Sequence, residues 1–326
     1  MKGIDIFLPD SYFFEQYDRF ICLCLFHLSK RMNEVYFLNK RIMSANYVSN
    51  IESIFKCPIC ASSMQVLNTK SLVCSNRHTF DFAKQGYVNL IPHTVKTKYS
   101  KELFEARKRI AEYGFFEPLT KTIAELINKH VLKNQIYVLD TGCGEGSHLA
   151  NLCNMIVKDK ENVSGVGIDI SKEGILIAAK NHSNKVWAVA DLANTPFKEK
   201  QFDVILNILS PSNYSEFTRI LKNNGFIVKV VPETEYLKEL RQIYFDEPDK
   251  KSYSNTDTIE RFEERFQVID RSRLRYIINL EKPSIPSLVQ MTPLSWRAID
   301  ERVDSFLERE SVGITVDLVI LIGKGK

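Results

Sequence analysis

Between residues 136 and 230 the chain alternates short apolar runs with stretches of helical spacing. Ile136 to Leu139, Val163 to Ile168, Val186 to Val189, Phe202 to Leu206 and the run ending at Val230 are bounded by turn-forming residues. Continuous apolar runs of this length mark strands covered on both faces. Helical periodicity between them, as from Ser147 to Val157, makes five strand–helix units in series. That order predicts an α/β domain: a Rossmann-like, mostly parallel sheet with helices on both faces. Upstream, Ser100 to Ile110 and Thr120 to Val131 read as helices, with a break at Gly114 and Phe115-Phe116-Glu117-Pro118 between them. Downstream, Phe266 to Val268, Ser272 to Leu280 and Ile314 to Ile322 finish the sheet with an antiparallel edge strand. Met291 to Ala298 interrupts them as a polar and aromatic part of the substrate cleft. Residues 1–50 are aromatic-rich without a sustained period. They are expected to be a poorly ordered, dispensable extension or a start-site artefact, Met32 and Met43 being alternative starts. The chain thus divides into 1–50, a small lobe 51–95, a basic helical linker 96–131 and the α/β domain 132–326.

The first strand of that domain runs into Asp140-Thr141-Gly142-Cys143-Gly144-Glu145-Gly146, and a helix opens near Ser147. Glycines at alternate positions let the backbone turn tightly and a ligand lie directly on it. A dinucleotide fingerprint would need its last glycine at position 147, where Ser147 stands. The Asp-x-Gly-x-Gly-x-Gly spacing instead resembles motif I of the class I methyltransferases, which use S-adenosylmethionine (SAM). Asp140, Gly142, Gly144, Glu145 and Gly146 are therefore candidate cofactor residues. Asp169, at the carboxyl end of the second strand, is suited to accept from both ribose hydroxyls, or it caps the helix starting at Ser171. Asp191, after the third strand, accepts from an adenine amine or serves as an N-cap. Asn207 and Ser210, where the fourth strand ends, are candidates to line an acceptor pocket. No side chain is assigned as a general base.

Ahead of the α/β domain stand Cys57-Pro58-Ile59-Cys60 and Cys74-Ser75-Asn76-Arg77-His78, a Cys-x2-Cys-x13-Cys-x3-His spacing. Three thiolates and an imidazole complete a tetrahedral zinc shell, so Cys57, Cys60, Cys74 and His78 form a closed structural site with no place for a catalytic water. The apolar pieces around them are too few for a core of their own, which makes metal the staple of a small domain.

Charge sharpens this picture. The net charge is +4, but residues 51 to 110 hold ten Lys or Arg against four Asp or Glu, the footprint of a nucleic-acid contact or of a solvated basic face. Tyr87 and Tyr99, interleaved with Lys96, Lys98, Lys101, Arg107, Lys108 and Arg109, either stack on unpaired bases or belong to the core. The seven cysteines are an odd number and lie mostly in the two motifs, which excludes a secreted disulfide framework and points to the reducing cytoplasm. The longest early apolar run, Phe20 to Leu28, includes His27 and is too short to cross a membrane.

From about Phe55 to the end the chain closely resembles the 23S rRNA (guanine-N1)-methyltransferases of the RlmA family, which includes a tylosin-resistance enzyme. The likeness rests on Cys57-Pro58-x-Cys60, Cys74-x3-His78-x-Phe80-Asp81, Gly86-Tyr87-Val88-Asn89-Leu90, Ala106-Arg107, the Asp140 to Gly146 turn, Asp169-x-Ser171, Leu237-x-Glu239-Leu240 and Met291-Thr292-Pro293-x-x-Trp296-Arg297-Ala298. The resemblance implies a class I SAM-dependent methyltransferase domain and a zinc domain that helps grip a hairpin of 23S rRNA. It further implies a homodimer, methyl transfer to a guanine ring nitrogen, and a link to macrolide resistance. SAM contacts would fall on Phe116, Gly144, Glu145 and Tyr236, the last standing where some relatives carry histidine. Two other readings stay open: a small-molecule SAM methyltransferase with a purely structural zinc module, and a non-catalytic RNA-binding zinc protein. Intact Gly142, Gly144, Gly146 and Asp169 speak against the second.

Overall fold

The computed structural model describes residues 39–131, 133, 135–156, 162–245, 254–293 and 301–326. Its first described element is a helix over residues 39–49, followed by a three-stranded antiparallel sheet of β1 (Met64–Leu67), β2 (Ser71–Cys74) and β3 (Thr79–Asp81). Asn68 and Thr69, both left-handed, make the tight turn that closes β1 on β2. The chain then leaves this lobe through β4 (Val88–Asn89), which pairs in parallel with β7 (Val186–Val189). One strand of the segment expected in the small lobe therefore belongs to the large sheet, while β1, β2 and β3 keep a sheet of their own. The boundary expected at residue 95 is softer than the composition suggested, because Val88 and Asn89 already belong to the large sheet.

The remaining strands are β5 (Gln135–Thr141), β6 (Asn162–Asp169), β8 (Phe202–Ile208), β9 (Leu221–Pro232), β10 (Phe266–Glu281) and β11 (Ser311–Gly325). Their spatial order is β10-β11-β9-β8-β5-β6-β7-β4, parallel from β4 to β9. Every residue of β8 is buried, as an apolar run covered on both faces requires. The antiparallel pairing expected at the end of the sheet is made by β11, which lies between β9 and the rim strand β10 and runs against both. β5 and β8 sit at the centre, so the loops at their carboxyl ends meet in the crevice where the strand order reverses.

Helix Lys101–Glu112 starts where the sequence places it, Ser100 Oγ accepting from the Leu103 amide at 3.3 Å. The next helix, Glu117–His130, begins three residues before the expected Thr120. Pro118 reads as a breaker in sequence, yet it sits in the first turn, where its missing amide would have had no helical acceptor. Leu294 to Ala298, the aromatic half of the expected cleft segment, lies outside the described residues, as do residues 1–38.

Residues 39–50 correct the expectation of loose packing. Ala45 and Val48 are 0% exposed and join a core with Phe55, Phe80 and Phe82 of the small lobe and Val166, Val186 and Phe197 of the large domain. The Lys40 carbonyl lies so close to Gly86, itself at φ +89°, that a Cβ there would stand 3.1 Å from it. Eleven residues with small side chains on one face show no clear period, and only the partner surfaces reveal their burial. Val48→Asp should put an unpaired charge into this core, costing about 3 kcal/mol or more. Thermal unfolding is expected to show a midpoint lowered by about 5 °C or more, with Met43→Asp on the exposed face as the neutral control.

Candidate active site and metal centre

The hairpin of β1 and β2 and the turn after β2 bring together Cys57, Cys60, Cys74 and His78, whose ligand atoms all lie within 4.8 Å of one another. Cys60 Sγ and Cys74 Sγ are 3.7 Å apart, and His78 Nδ1 lies 3.4 Å from Cys74 Sγ and 3.5 Å from Cys57 Sγ. Ligands about 2.3 Å from a tetrahedral centre stand about 3.8 Å apart, so the edges fit zinc. Hydrogen bonding from Ser62, through its side chain and its main chain, pulls the Cys60 thiol down to about 5, the direction a metal thiolate needs. The lobe is seated on the large domain by Phe55, whose ring packs at a tilt against Phe197 with centres 5.4 Å apart, and by the Lys56 amide donating to the Pro196 carbonyl at 3.0 Å.

The second site forms where β5, β6 and β8 end. Gly142, Gly144 and Gly146 all have positive φ, and the Gly142 and Cys143 amides both donate to the Ile168 carbonyl, which folds the turn over β6. Gly146 is required by packing: a Cβ there would stand 2.6 Å from the Trp187 ring and 2.9 Å from Ala178. The ribose candidate Asp169 accepts from the Gly144 amide at 2.9 Å and from the Ser171 amide at 2.8 Å. It thus braces the turn and the next helix start, with lone pairs left for a ligand. Asp191 accepts from the Ala193 amide at 2.8 Å in a turn of its own, and no helix follows it before β8. Phe116 packs on His148 with ring centres 4.9 Å apart, and burial lowers that imidazole to about 4.

Three carboxyls converge here, two of them within reach of the Arg107 charge. Asp140 is 2% exposed, its Oδ2 has no hydrogen-bond partner, and burial followed by the charges of Asp169 and Glu145 pushes it up to about 8. Glu145 is 5% exposed and accepts from Ser147 Oγ at 2.5 Å, but burial still raises it to about 7. Burial also raises Asp169 and the Tyr236 phenol. An orphaned buried carboxylate oxygen beside two further acids fits a cationic ligand, and SAM carries a sulfonium and an ammonium.

Arg107 is the residue that sequence reasoning misplaced. It stands in the basic run that reads as a nucleic-acid contact or a solvated face, yet its Nε donates to the Met291 carbonyl at 3.1 Å and its guanidinium lies against the rings of Tyr99 and Phe104. Nη1 is 3.9 Å from where a Gly144 Cβ would be, and the charge acts on Glu145, Asp169 and Tyr236. The spacing within a helical basic run carries no sign of which face a side chain takes. Tyr87 is buried, which settles it as core.

Asn207 and Ser210 do come together. Asn207 Nδ2 donates to Ser210 Oγ at 2.9 Å, and Ser210 Oγ donates to the Thr141 carbonyl at 2.7 Å. A Cβ on Gly142 would stand 2.5 Å from Ser210 Oγ, so the turn after β8 presses directly on the glycine turn.

Because the folded pKa values of Asp140 and Glu145 lie above their ordinary ones, the folded protein holds protons that the unfolded chain has lost between about pH 4 and 8. These groups therefore contribute stability that falls as pH rises through that window. A cationic ligand favours the ionised forms, so SAM binding should tighten with rising pH, by about threefold to tenfold between pH 5.5 and 7.5. Titration calorimetry in buffers of different ionisation enthalpy should show proton release on binding. Asp140→Asn should flatten the dependence, and a pH-independent affinity would contradict the charge assignment.

Residues 55–101 match the family model described as RlmA, N-terminal, a zinc ribbon, and residues 138–225 match the model of a methyltransferase domain. A relative from Bacillus subtilis (strain 168), YxjB, named as a 23S rRNA (guanine-N(1)-)-methyltransferase, is 50% identical over 274 residues, covering 83% of this chain and 97% of its own. The 23S rRNA (guanine(748)-N(1))-methyltransferase of Streptomyces fradiae is 30% identical over 250 residues, covering 76% of this chain and 87% of its own. A Micromonospora griseorubida protein named for the same guanine-N(1) activity is 26% identical over 292 residues, 82% of this chain and 96% of its own. With a zinc-ribbon lobe joined to a domain that carries a carboxylate-lined glycine turn, the chain belongs to the family of 23S rRNA (guanine-N1)-methyltransferases.

Proposed function

We propose that this protein transfers the methyl group of SAM to N1 of a guanine in a hairpin loop of 23S rRNA, acting as a homodimer in the cytoplasm. The observation that carries the reading is the joining of the two lobes through β4, which fixes a basic metal-binding lobe to the edge of the same sheet that carries the acidic glycine turn. Membership of the family supplies the acceptor class. Among the described residues no helix is long and apolar enough to cross a membrane.

SAM supplies a methyl carbon already activated by its sulfonium, so the protein's task is alignment and exclusion of water. In this reading Asp140, Gly142, Gly144, Glu145 and Gly146 hold the methionyl end, with Arg107 as counter-ion to its carboxylate. Asp169 takes the ribose, Asp191 the adenine edge, and Phe116 and Tyr236 flank the site. The zinc, held by Cys57, Cys60, Cys74 and His78, is structural. Arg77, Lys84, Lys96 and Lys98 are exposed, and none forms an ion pair among the described residues, so their charge is available to phosphates. A looped-out base enters such a crevice at lower cost than one stacked in a duplex.

Incubation with tritiated SAM and 23S rRNA from cells lacking the modification should label the RNA, and primer extension should stop at a single guanine. Label only in small metabolites would favour a small-molecule methyltransferase, and no label a binding protein. In a separate test Cys57→Ser with Cys60→Ser should abolish bound zinc and RNA methylation together while the SAM affinity stays within about threefold. Surviving RNA methylation would remove the lobe from recognition.

A further inference from the structure

One buried cation in the large domain has no part in the chemistry so far. Lys229 stands in the middle of β9, in the run Phe226-Ile227-Val228-Lys229-Val230-Val231, whose other members are all buried and apolar. It is 3% exposed. Among the described residues no carboxylate pairs with it. Its ammonium donates instead to three neutral acceptors: Asn207 Oδ1 at 2.5 Å, the Ser210 carbonyl at 3.1 Å and Ser212 Oγ at 2.9 Å. All three lie at the end of β8 or in the turn that follows.

From those acceptors the network continues to the cofactor turn. Asn207 Nδ2, with two hydrogens, is within hydrogen-bond reach of three acceptors, Thr141 Oγ1 at 3.0 Å, Ser210 Oγ at 2.9 Å and the Pro211 carbonyl at 2.8 Å. Ser212 Oγ donates back to Asn207 Oδ1 at 2.8 Å, and Ser210 Oγ donates to the Thr141 carbonyl next to Gly142. Lysine thus anchors one end of a polar chain whose other end is the glycine turn. A buried charge without a counter-charge is a poor stabiliser, and a well-packed apolar side chain usually serves a core as well or better. What an apolar residue could not do is hold the acceptor-side turn by three bonds and give it a positive charge.

The transfer reaction has a use for that charge. Guanine N1 carries a proton, which passes to water. The N1 electron pair forms the new bond to the methyl carbon, and the pair of the broken sulfur–carbon bond stays on sulfur as a neutral thioether. Before the bond forms, negative charge lies on N1 and O6. A fixed positive group favours that anion without reorganising when it appears.

We propose that Lys229 is the positioning residue of the acceptor site, holding Asn207 and the 210–212 turn against the cofactor loop and setting a fixed positive charge behind the guanine as N1 loses its proton. The assignment rests on the functional reading above. The titratable groups on the elements packed around it are otherwise engaged or remote. Asp203 on β8 pairs with Lys133 and Lys222, Asp317 on β11 with Arg273, and Glu216 after the turn with Arg219. Asp140 on β5 faces the glycine turn, and the Tyr214 phenol, raised by burial, hydrogen-bonds Ser212. Burial alone lowers Lys229 to about 8, so its charge fades in the range where guanine ionises more readily.

The test is single-turnover methylation of unmodified 23S rRNA by the full-length protein at saturating SAM, followed from pH 6 to 10. The wild type should rise as guanine ionises and fall as Lys229 loses its proton. Lys229→Met should lose about tenfold to a hundredfold in rate at pH 7.5 and lose the falling limb, with SAM and RNA affinities within about threefold of wild type. Lys229→Arg should keep more activity than Lys229→Met and move the falling limb upward. Lys229→Met removes a buried charge but also leaves three buried acceptors without their donor, so its unfolding midpoint is measured and the rates are compared well below it. A rate for Lys229→Met within threefold of wild type, a slower rate with both limbs unchanged, or a parallel loss of SAM affinity would each overturn the assignment. So would a wild-type profile with no falling limb, which needs no variant at all. If wild-type protein labels no RNA, the functional reading fails first and this assignment with it.

Discussion

The cofactor turn is held in shape by the indole of Trp187, which fills the space left by two missing side chains. A Cβ on Gly146 would stand 2.6 Å from that ring and one on Gly167 only 2.3 Å, so β6, β7 and the start of helix Ser147–Ile156 close on one another only with glycine at both positions. Trp187 Nε1 donates to the His182 carbonyl at 2.7 Å, which leaves no polar atom of the indole unsatisfied in the core. With the turn pinned from below, its amides are free to be organised from the sides. Asp169 takes the Gly144 amide and Ser210 takes the Thr141 carbonyl. A loop braced on three sides by groups that are themselves buried or half-buried is pre-organised for its ligand, which lowers the ordering cost of binding.

Charge is separated across this crevice in a way that the modest net charge conceals. Asp140, Glu145 and Asp169 gather on the cofactor side, where burial makes each reluctant to ionise. Arg107 lies over the glycine turn, Lys229 is bonded to the 210–212 turn, and Arg77, Lys84, Lys96 and Lys98 are exposed on the lobe and just after it. Each buried charge is worth far more in such surroundings than in water, so a few groups decide what the crevice accepts.

The metal centre matters to the large domain as well as to its own lobe. Phe55, two residues before the Cys57 ligand, packs at a tilt on Phe197, and Phe197 in turn meets Phe202, at the start of β8, edge to face. The ribbon is thereby coupled to a central strand through two aromatic contacts, and through β4 it extends the sheet itself. The helix over residues 39–49 packs against both lobes and covers part of their junction. The metal lobe and the glycine-turn domain are thus set in a fixed relation by the core they share.

The alternation of buried runs and helical periods already determined the parallel sheet, because a strand covered on both faces must be apolar throughout. The two motifs determined the metal ligands and the glycine turn, because tetrahedral zinc and close backbone approach each demand particular residues at short spacing. What is local in the chain was legible. Tertiary structure alone decided that Val88 and Asn89 join the large sheet, that Ala45 and Val48 are buried, and that Pro118 starts a helix. It also took Arg107 from the basic run to the cofactor turn and linked Lys229 to Asn207 across 22 positions of chain. Those placements depend on contacts between residues far apart in sequence, where neither period nor spacing carries a signal, and the side chain's environment exists only once the sheet has formed.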